Sequence, residues 1–225
     1  MLAKMIVIAY NLFEIGAWTA VLVLAIMEAC KADSYEAFGS SYEKGSRLWR
    51  AVLIAQCPAV LDIIFTFLGL TRTKLDSVVP QVLARYFVIF LVFPLVPTAS
   101  TAEFYIAQQP LIQVIVMAWA LAEIVRYAYY TLTALQGGLL GHLRYNLFLV
   151  LYPLGVAVEV CAFWAARCYV LSIEDEKERP LTILMPNKMN FEIRAEWTIY
   201  IGLALWVVVF PLLYLHMIAQ RRSFY

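Results

Sequence analysis

Charged residues are scarce in this sequence, and the charges that are present nearly cancel. Only 15% of its 225 residues are charged, and 17 basic residues against 16 acidic ones leave a net charge of +1. A protein that binds nucleic acid usually presents a strong excess of positive charge. We therefore expect no nucleic-acid partner for this chain.

Residues that build disulfide frameworks and metal sites are also few. The four cysteines show no C-x-x-C spacing, and the two histidines, His142 and His216, lie far apart in the sequence. A lone histidine at a membrane edge is more often interfacial than a metal ligand. The sequence therefore predicts neither a disulfide framework nor a metal site, and it implies no cofactor.

Apolar residues, in contrast, are abundant. They make up 64% of the chain, and the mean hydropathy is +0.78, which indicates an integral membrane protein. Each apolar run is long enough to cross a bilayer, which takes roughly 20 helical residues. We predict an all-α membrane protein, a single domain over residues 1–225 with six transmembrane helices. The runs lie at about 5–29, 48–70, 78–97, 111–135, 143–171 and 197–219.

The number of spans places both termini on one side of the membrane. The first run is too long for the apolar part of a cleaved signal peptide, so it reads as a retained signal anchor. The short loops on the side of the termini, 71–77 and 136–142, are flanked by basic residues such as Arg72, Lys74 and Arg144. The opposite side has as many or more basic residues, together with many acids, so the count of lysine and arginine does not decide the orientation. We expect cytosolic termini because the short loops on this side are almost purely basic.

Several ionisable residues lie inside or at the edge of the apolar runs. A charged side chain at bilayer depth is costly, so each one is either paired with an opposite charge or functional. The simpler interpretation is that they pair as salt bridges between helices, with Arg167 reaching the interface. The acids are Glu14, Asp62, Glu123 and Glu159, and the bases are Arg85, Arg126, Arg144 and Arg167.

The fifth run carries a phenol and an acid on one face. Tyr152 and Glu159 are seven residues apart, almost two helical turns, so they point the same way about 10 Å apart along the axis. Pro153 and Gly155 lie between them, and a proline inside a helix predicts a kink. This pair is the best candidate for a catalytic site.

One stretch of the fifth run has the spacing of a phosphatase motif but lacks the loop that such a motif needs. Cys161 and Arg167 satisfy the C-x5-R spacing of tyrosine phosphatases. A phosphate cradle needs an exposed loop of backbone N–H groups, usually glycine-rich, whereas this stretch is an apolar helix without glycine. The spacing therefore does not predict phosphatase activity.

The fourth and fifth runs resemble a known family. The segment from Trp119 through Glu123, Arg126, Tyr127 and Tyr130 is followed by Leu143-Arg144-Tyr145 and by Leu151-Tyr152-Pro153-Leu-Gly155-Val-Ala-Val-Glu159. Together with Pro80-Gln81 and Arg85 in the third run, it is similar to the very-long-chain 3-hydroxyacyl-CoA dehydratases, first described as protein-tyrosine-phosphatase-like. One difference is visible in the second run, where Asp62 and Phe65 stand in place of a glutamate and a histidine.

The resemblance implies a function and a location. It implies a six-span enzyme of the endoplasmic reticulum membrane that converts 3-hydroxyacyl-CoA into trans-2-enoyl-CoA, the third step of fatty acid elongation, and that acts beside the other elongation enzymes. The catalytic residues would be Tyr152 and Glu159. Substrate-binding or supporting roles would fall to Arg126, Arg144, Glu123, Tyr127, Gln81, Arg85 and Gly155.

The chemistry of dehydration suits these two groups independently of the family. One group must take a proton from C2, and another must deliver a proton to the departing C3 hydroxyl. Glu159 is the better base if Arg126 or Arg144 keeps it ionised, because an unperturbed phenol ionises only near pH 10. Tyr152 would then donate to the leaving oxygen or to the thioester carbonyl, and the sequence does not choose between these roles.

The expected substrate also suits the membrane location. Its charged nucleotide would stay near Arg72, Lys74 and Arg144, while the acyl chain would enter an internal apolar tunnel. Two other functions remain open from the sequence: a catalytically silent scaffold of the elongation complex, and a small transporter. The transporter is weakened by the lack of a repeat between the two halves of the chain.

Overall fold

The computed structural model of the chain describes residues 2–31, 45–71, 73–96, 111–132, 138–188 and 190–225. Within these ranges the chain is helical, apart from turns and one isolated antiparallel bridge between Ile183 and Ile193. The predicted all-α class is therefore confirmed.

Six helices are long and apolar enough to cross a membrane. Each falls on one of the six predicted apolar runs, and the first, fifth and sixth are longer than their runs by several residues. They are α1 (Leu2–Lys31), α2 (Arg47–Phe67), α3 (Leu75–Leu95), α4 (Leu111–Thr131), α5 (Leu139–Ser172) and α6 (Ala195–Phe224).

Two of the helices change their hydrogen-bonding pattern partway along. In α2, Pro58 lies in a 3-10 turn, Cys57–Ala59, which fits the missing N–H of proline. In α3, a π-helical stretch, Val88–Val92, is followed by a 3-10 turn, Phe93–Leu95. In contrast, α5 remains α-helical through Pro153.

The order of packing leaves α6 at the edge of the bundle. Helix α1 packs on α2 and α4, α4 packs on α5, and α5 packs on α6. The outer face of α6 exposes apolar side chains, among them Leu205, Val207 and Leu212. Such a face is stable in contact with lipid chains, which are as apolar as leucine.

An ion-pair cluster ties three of the helices together. Arg126 of α4 contacts Asp62 of α2 with an N–O distance of 2.9 Å and Glu123 of its own helix at 2.6 Å. Arg85 of α3 contacts the other oxygen of Glu123 at 2.5 Å. Two acids and two bases therefore neutralise each other. We call these four residues the ion cluster.

The expectation of paired charges is wrong for Glu14. This side chain of α1 is fully buried, yet it forms no ion pair in the part of the chain that the structure describes. Arg167 donates from Nε to the hydroxyl of Tyr200 across 2.8 Å, at an exposed position. Pairing between helices thus explains the ion cluster but not every buried acid.

Replacing Arg126 with methionine should destabilise the protein by about 3 kcal/mol or more, because two buried acids lose their shared cation. Lys31→Met is the control, since the one ion pair of Lys31 among the described residues is a surface pair with Glu28 at 4.0 Å, and such pairs contribute about 1 kcal/mol or less. Thermal unfolding of the purified protein in detergent measures both. Equal midpoints for the two variants would contradict the role of Arg126.

Gly202 of α6 should not tolerate a methyl group. A Cβ there would lie 2.5 Å from Cε1 of Phe163 and 2.6 Å from Cε1 of Phe87, two rings that stack with centroids 5.9 Å apart. We expect Gly202→Ala to lower stability by about 1–3 kcal/mol through overpacking. Gly16→Ala, where a Cβ meets nothing within 4 Å, should raise stability by about 0.5–1 kcal/mol. The same unfolding assay reports both signs, and a stabilising Gly202→Ala would refute the close packing.

Candidate active site

A cavity of about 360 Å³ lies among α3, α4, α5 and α6. Pockets for small-molecule ligands typically measure about 300–1,000 Å³. The cavity gathers most of the residues that the sequence singles out, although they come from three different helices. Those that line it are Gln81, Arg85, Glu123, Arg126, Arg144, Tyr152, Gly155 and Glu159.

Tyr127 is the exception among the predicted site residues. It lies outside the cavity lining, on the side of α4 that faces α1 and α2. Its hydroxyl donates to Asp62 across 2.8 Å and lies 3.1 Å from the hydroxyl of Tyr10. Tyr127 therefore holds an acid of the ion cluster in place and does not face the cavity.

The two residues that differ from the family pattern in α2 have distinct surroundings. Asp62 accepts from both Arg126 and Tyr127, so the shorter acid still reaches the ion cluster. Phe65 packs edge-on against Tyr10, with ring centroids 5.3 Å apart. An apolar aromatic contact thus occupies the position at which the family pattern has a histidine.

One end of the cavity, which we call its mouth, lies where α3 and α5 begin and α4 and α6 end. Lys74 and Arg144 line it. The Arg144 guanidinium donates to the hydroxyl of Tyr130 across 3.1 Å and lies 4.8 Å from the ring centre of Tyr129. Among the described residues, no carboxylate pairs with Arg144. Arg72, also expected here, lies outside the described residues.

Tyr152 sits deeper in the cavity. At 1.5 Å per residue, it lies about 12 Å beyond Arg144 along α5. The side-chain amide of Gln81, on α3, donates to the Tyr152 hydroxyl across 3.4 Å. Gly155 lines the cavity on the same face of α5, and a Cβ there would meet no atom of the described residues within 4 Å. The glycine therefore leaves open space between Tyr152 and Glu159.

Glu159 is only 4% exposed and lies about 22 Å beyond Arg144 along α5. Its Oε1 accepts a hydrogen bond from the indole nitrogen of Trp119, 2.9 Å away, and its Oε2 has no hydrogen-bond partner in the described part of the chain. The expected cation partners, Arg126 and Arg144, do not contact it. Arg126 is held by the ion cluster, and Arg144 is held by the tyrosines at the mouth.

The contribution of α6 to the cavity could not be predicted from the sequence. One face of this helix lines the cavity, including His216, which was expected to be interfacial. The α6 residues that line the cavity recur every three or four positions, as expected for one face of a helix. A face that lines a cavity and a face that contacts lipid are both apolar, so the pattern does not distinguish them. The residues are Trp206, Phe210, Leu213, His216, Met217 and Gln220.

Trp119 begins the family-like segment of the fourth run, yet its contact with Glu159 could not be predicted from the sequence. The two residues are on different helices, so only the packing of α4 on α5 joins them. The described residues hold no group of three or more histidine, cysteine or acidic side chains that could bind a metal ion. The arrangement offers Glu159 and Tyr152 for proton transfer, and cations at the end of the cavity near Lys74 and Arg144 for anion binding.

Comparison with known proteins gives consistent matches. The chain is 32% identical over 219 residues to the very-long-chain (3R)-3-hydroxyacyl-CoA dehydratase hpo-8 of Caenorhabditis elegans, covering 96% of this chain and 92% of that protein. It is 30% identical to the human very-long-chain (3R)-3-hydroxyacyl-CoA dehydratase 2, covering 99% of this chain and 81% of that protein. It is also 28% identical to the rice dehydratase PASTICCINO 2B, covering 95% and 90% respectively.

No solved structure matches the chain. The family described as protein tyrosine phosphatase-like protein, PTPLA, matches residues 56–225, which include α3 to α6 and thus every residue that lines the cavity. The chain therefore belongs to the PTPLA family, whose resemblance was visible in the residues from Trp119 to Glu159.

Proposed function

We propose that this chain is a lyase that removes water from a long-chain (3R)-3-hydroxyacyl-CoA to give trans-2-enoyl-CoA. The names of relatives that match almost the whole chain support this reaction. The observation that carries the proposal is that Tyr152 and Glu159 line one cavity together with Gly155, which leaves space between them.

Glu159 acts as the base. Its carboxylate takes the proton from C2, the electrons of the C2–H bond form the new C2–C3 double bond, and the C3–O bond breaks. Oε2 is the oxygen for this role, because Oε1 is occupied by Trp119 and Oε2 has no other partner among the described residues. An acid held inside an apolar bundle makes few competing hydrogen bonds to water, which favours proton abstraction.

Tyr152 acts as the acid. Its hydroxyl proton passes to the departing oxygen, which leaves as water, and the proton held by Glu159 then restores the phenol. The hydrogen bond from Gln81 supports this direction, because the Tyr152 oxygen accepts from the amide and its own O–H remains free to donate. One proton is taken up and one is delivered, so the enzyme returns to its starting state.

The cavity matches the two ends of the substrate. Lys74 and Arg144 at the mouth would hold the phosphates of the CoA nucleotide, and the pantetheine arm would extend inward to Tyr152. Arginine and lysine form strong charge-assisted hydrogen bonds with phosphate. Apolar side chains of α5 and α6 would contact the acyl chain; they include Leu147, Leu151, Val156, Trp206, Phe210 and Leu213.

The proposed setting is fatty acid elongation in the endoplasmic reticulum membrane, with cytosolic termini and with the other elongation enzymes as neighbours. An insoluble acyl chain and six apolar helices favour a membrane-bound step. Cytosolic termini would place the mouth, with Lys74 and Arg144, towards the compartment that holds CoA. A silent scaffold would not need a built cavity, which makes that alternative the weaker one.

Glu159→Gln and Tyr152→Phe should each lower turnover about a hundredfold or more, since each removes one proton-transfer group. Formation of enoyl product from a purified long-chain 3-hydroxyacyl-CoA measures this. Glu28→Gln and Tyr200→Phe are matched controls, because neither residue lines the cavity, and both should keep normal turnover. Full activity in either site variant, with its fold intact, would remove the proposed mechanism.

Arg144→Gln should raise KM for the CoA substrate about tenfold or more, because a charge-assisted hydrogen bond contributes about 1.5–3 kcal/mol. Its kcat should change much less, since the phosphates are remote from the reacting carbons. Arg222→Gln is the control: Arg222 is an exposed cation on the same side of the bundle and does not line the cavity. An unchanged KM in Arg144→Gln would show that the nucleotide binds elsewhere.

A further inference from the structure

Trp119 of α4 and Glu159 of α5 form a direct hydrogen bond between the two helices at the inner end of the cavity. The indole Nε1 donates to Oε1 across 2.9 Å, and both side chains are buried. Indole nitrogen is a donor and never an acceptor, so this contact favours a carboxylate oxygen as its partner. It binds one oxygen of Glu159 and leaves the other available.

The indole ring is itself held from α3. Phe93 stacks on Trp119 with ring centroids 5.8 Å apart and an interplanar angle of 22°. The Arg85 guanidinium lies 5.2 Å from the centre of the same ring. Arg85 lies in the α-helical part of α3, and Phe93 follows the π-helical stretch Val88–Val92 as the first residue of the 3-10 turn, so α3 presents both side chains to one tryptophan.

Arg85 connects this contact to the ion cluster. Its guanidinium pairs with Glu123, which follows Trp119 by one helical turn on α4. A cation near an aromatic ring is attracted to the π electrons, and the low dielectric of a buried site strengthens this attraction. Arg85 thereby fixes the plane of the indole, and the indole fixes the carboxylate.

We propose that Trp119 is a positioning residue that orients Glu159 for proton abstraction, with Arg85 and Phe93 holding its ring. This proposal rests on the proposed function, in which Glu159 is the base. Without the indole N–H, the carboxylate rotates about its terminal bonds, and Oε2 meets C2 of the substrate in the correct geometry less often. Loss of the donor therefore lowers kcat and leaves substrate binding at the mouth intact.

The test compares Trp119→Phe, Glu159→Asp and the double variant, with kcat and KM measured on one long-chain 3-hydroxyacyl-CoA. Trp119→Phe should lower kcat about tenfold or more, as expected for loss of a hydrogen bond to a charged group, with KM changed less than about twofold. Glu159→Asp shortens the side chain by one methylene group and so moves the carboxylate away from the indole N–H. The double variant should therefore lose little beyond Glu159→Asp, because the two changes remove one shared contact.

Two further variants keep the result interpretable. Trp164→Phe is the control, because Trp164 is a half-exposed tryptophan of α5 outside the cavity lining, and it should keep normal kcat. Incorporating β-(3-benzothienyl)alanine at position 119 replaces N–H by sulfur at nearly constant shape. This variant should also lower kcat about tenfold or more, and its loss of kcat reports the missing N–H without the change of side-chain volume that phenylalanine brings.

The outcomes separate the two proposals. Normal kcat with the benzothienyl side chain, or losses that simply multiply in the double variant, would overturn the positioning role of Trp119 while leaving the lyase reaction intact. Full activity of Glu159→Gln would instead overturn the proposed function itself. Loss of activity in Glu159→Gln with a selective drop of kcat at position 119 supports both.

Discussion

The arrangement of this membrane protein depends on the neutralisation of buried charge by Arg126. In an apolar bundle an unpaired ion is costly, and removing one partner of a buried pair leaves that cost uncompensated. Arg126 contacts Asp62 and Glu123 together, and Glu123 also binds Arg85. One neutral cluster thus fixes α2, α3 and α4 relative to one another. The wall of the cavity follows from that fixed arrangement.

The helices could be predicted from the sequence because their determinants are local. Runs of apolar residues long enough to cross a bilayer must form their own backbone hydrogen bonds, so length and composition suffice. The ends were less predictable: α5 runs from Leu139 to Ser172, several residues beyond the apolar run. The break in α2 fits Pro58, whereas Pro153 interrupts no assigned helix. A proline therefore marks a position at which the α-helical hydrogen bonding can change, and the packing around it decides whether it does.

The candidate site was predictable only in part, because its contacts join different helices. The pairing of Tyr152 with Glu159 could be predicted from their spacing on one helix, and both line one cavity in the structure. The hydrogen-bond partner of Glu159 could not be predicted, since Trp119 is 40 residues away in sequence. The same limit explains Tyr127, which lies one helical turn from Glu123 by spacing but contacts Asp62 and does not line the cavity. Spacing gives the direction of a side chain, not its neighbour.

The three arginines of the cavity differ in whether an acid pairs with them. Arg85, Arg126 and Arg144 look equivalent in sequence, each lying in or beside an apolar run. The first two are neutralised by acids inside the bundle, so they have little charge to offer a ligand. Arg144 is held only by tyrosines in the described part of the chain. A substrate with an anionic head would supply the missing negative charge at the mouth and leave the interior apolar. The distribution of acids thus fits the proposed ligand, which is charged at one end and apolar at the other.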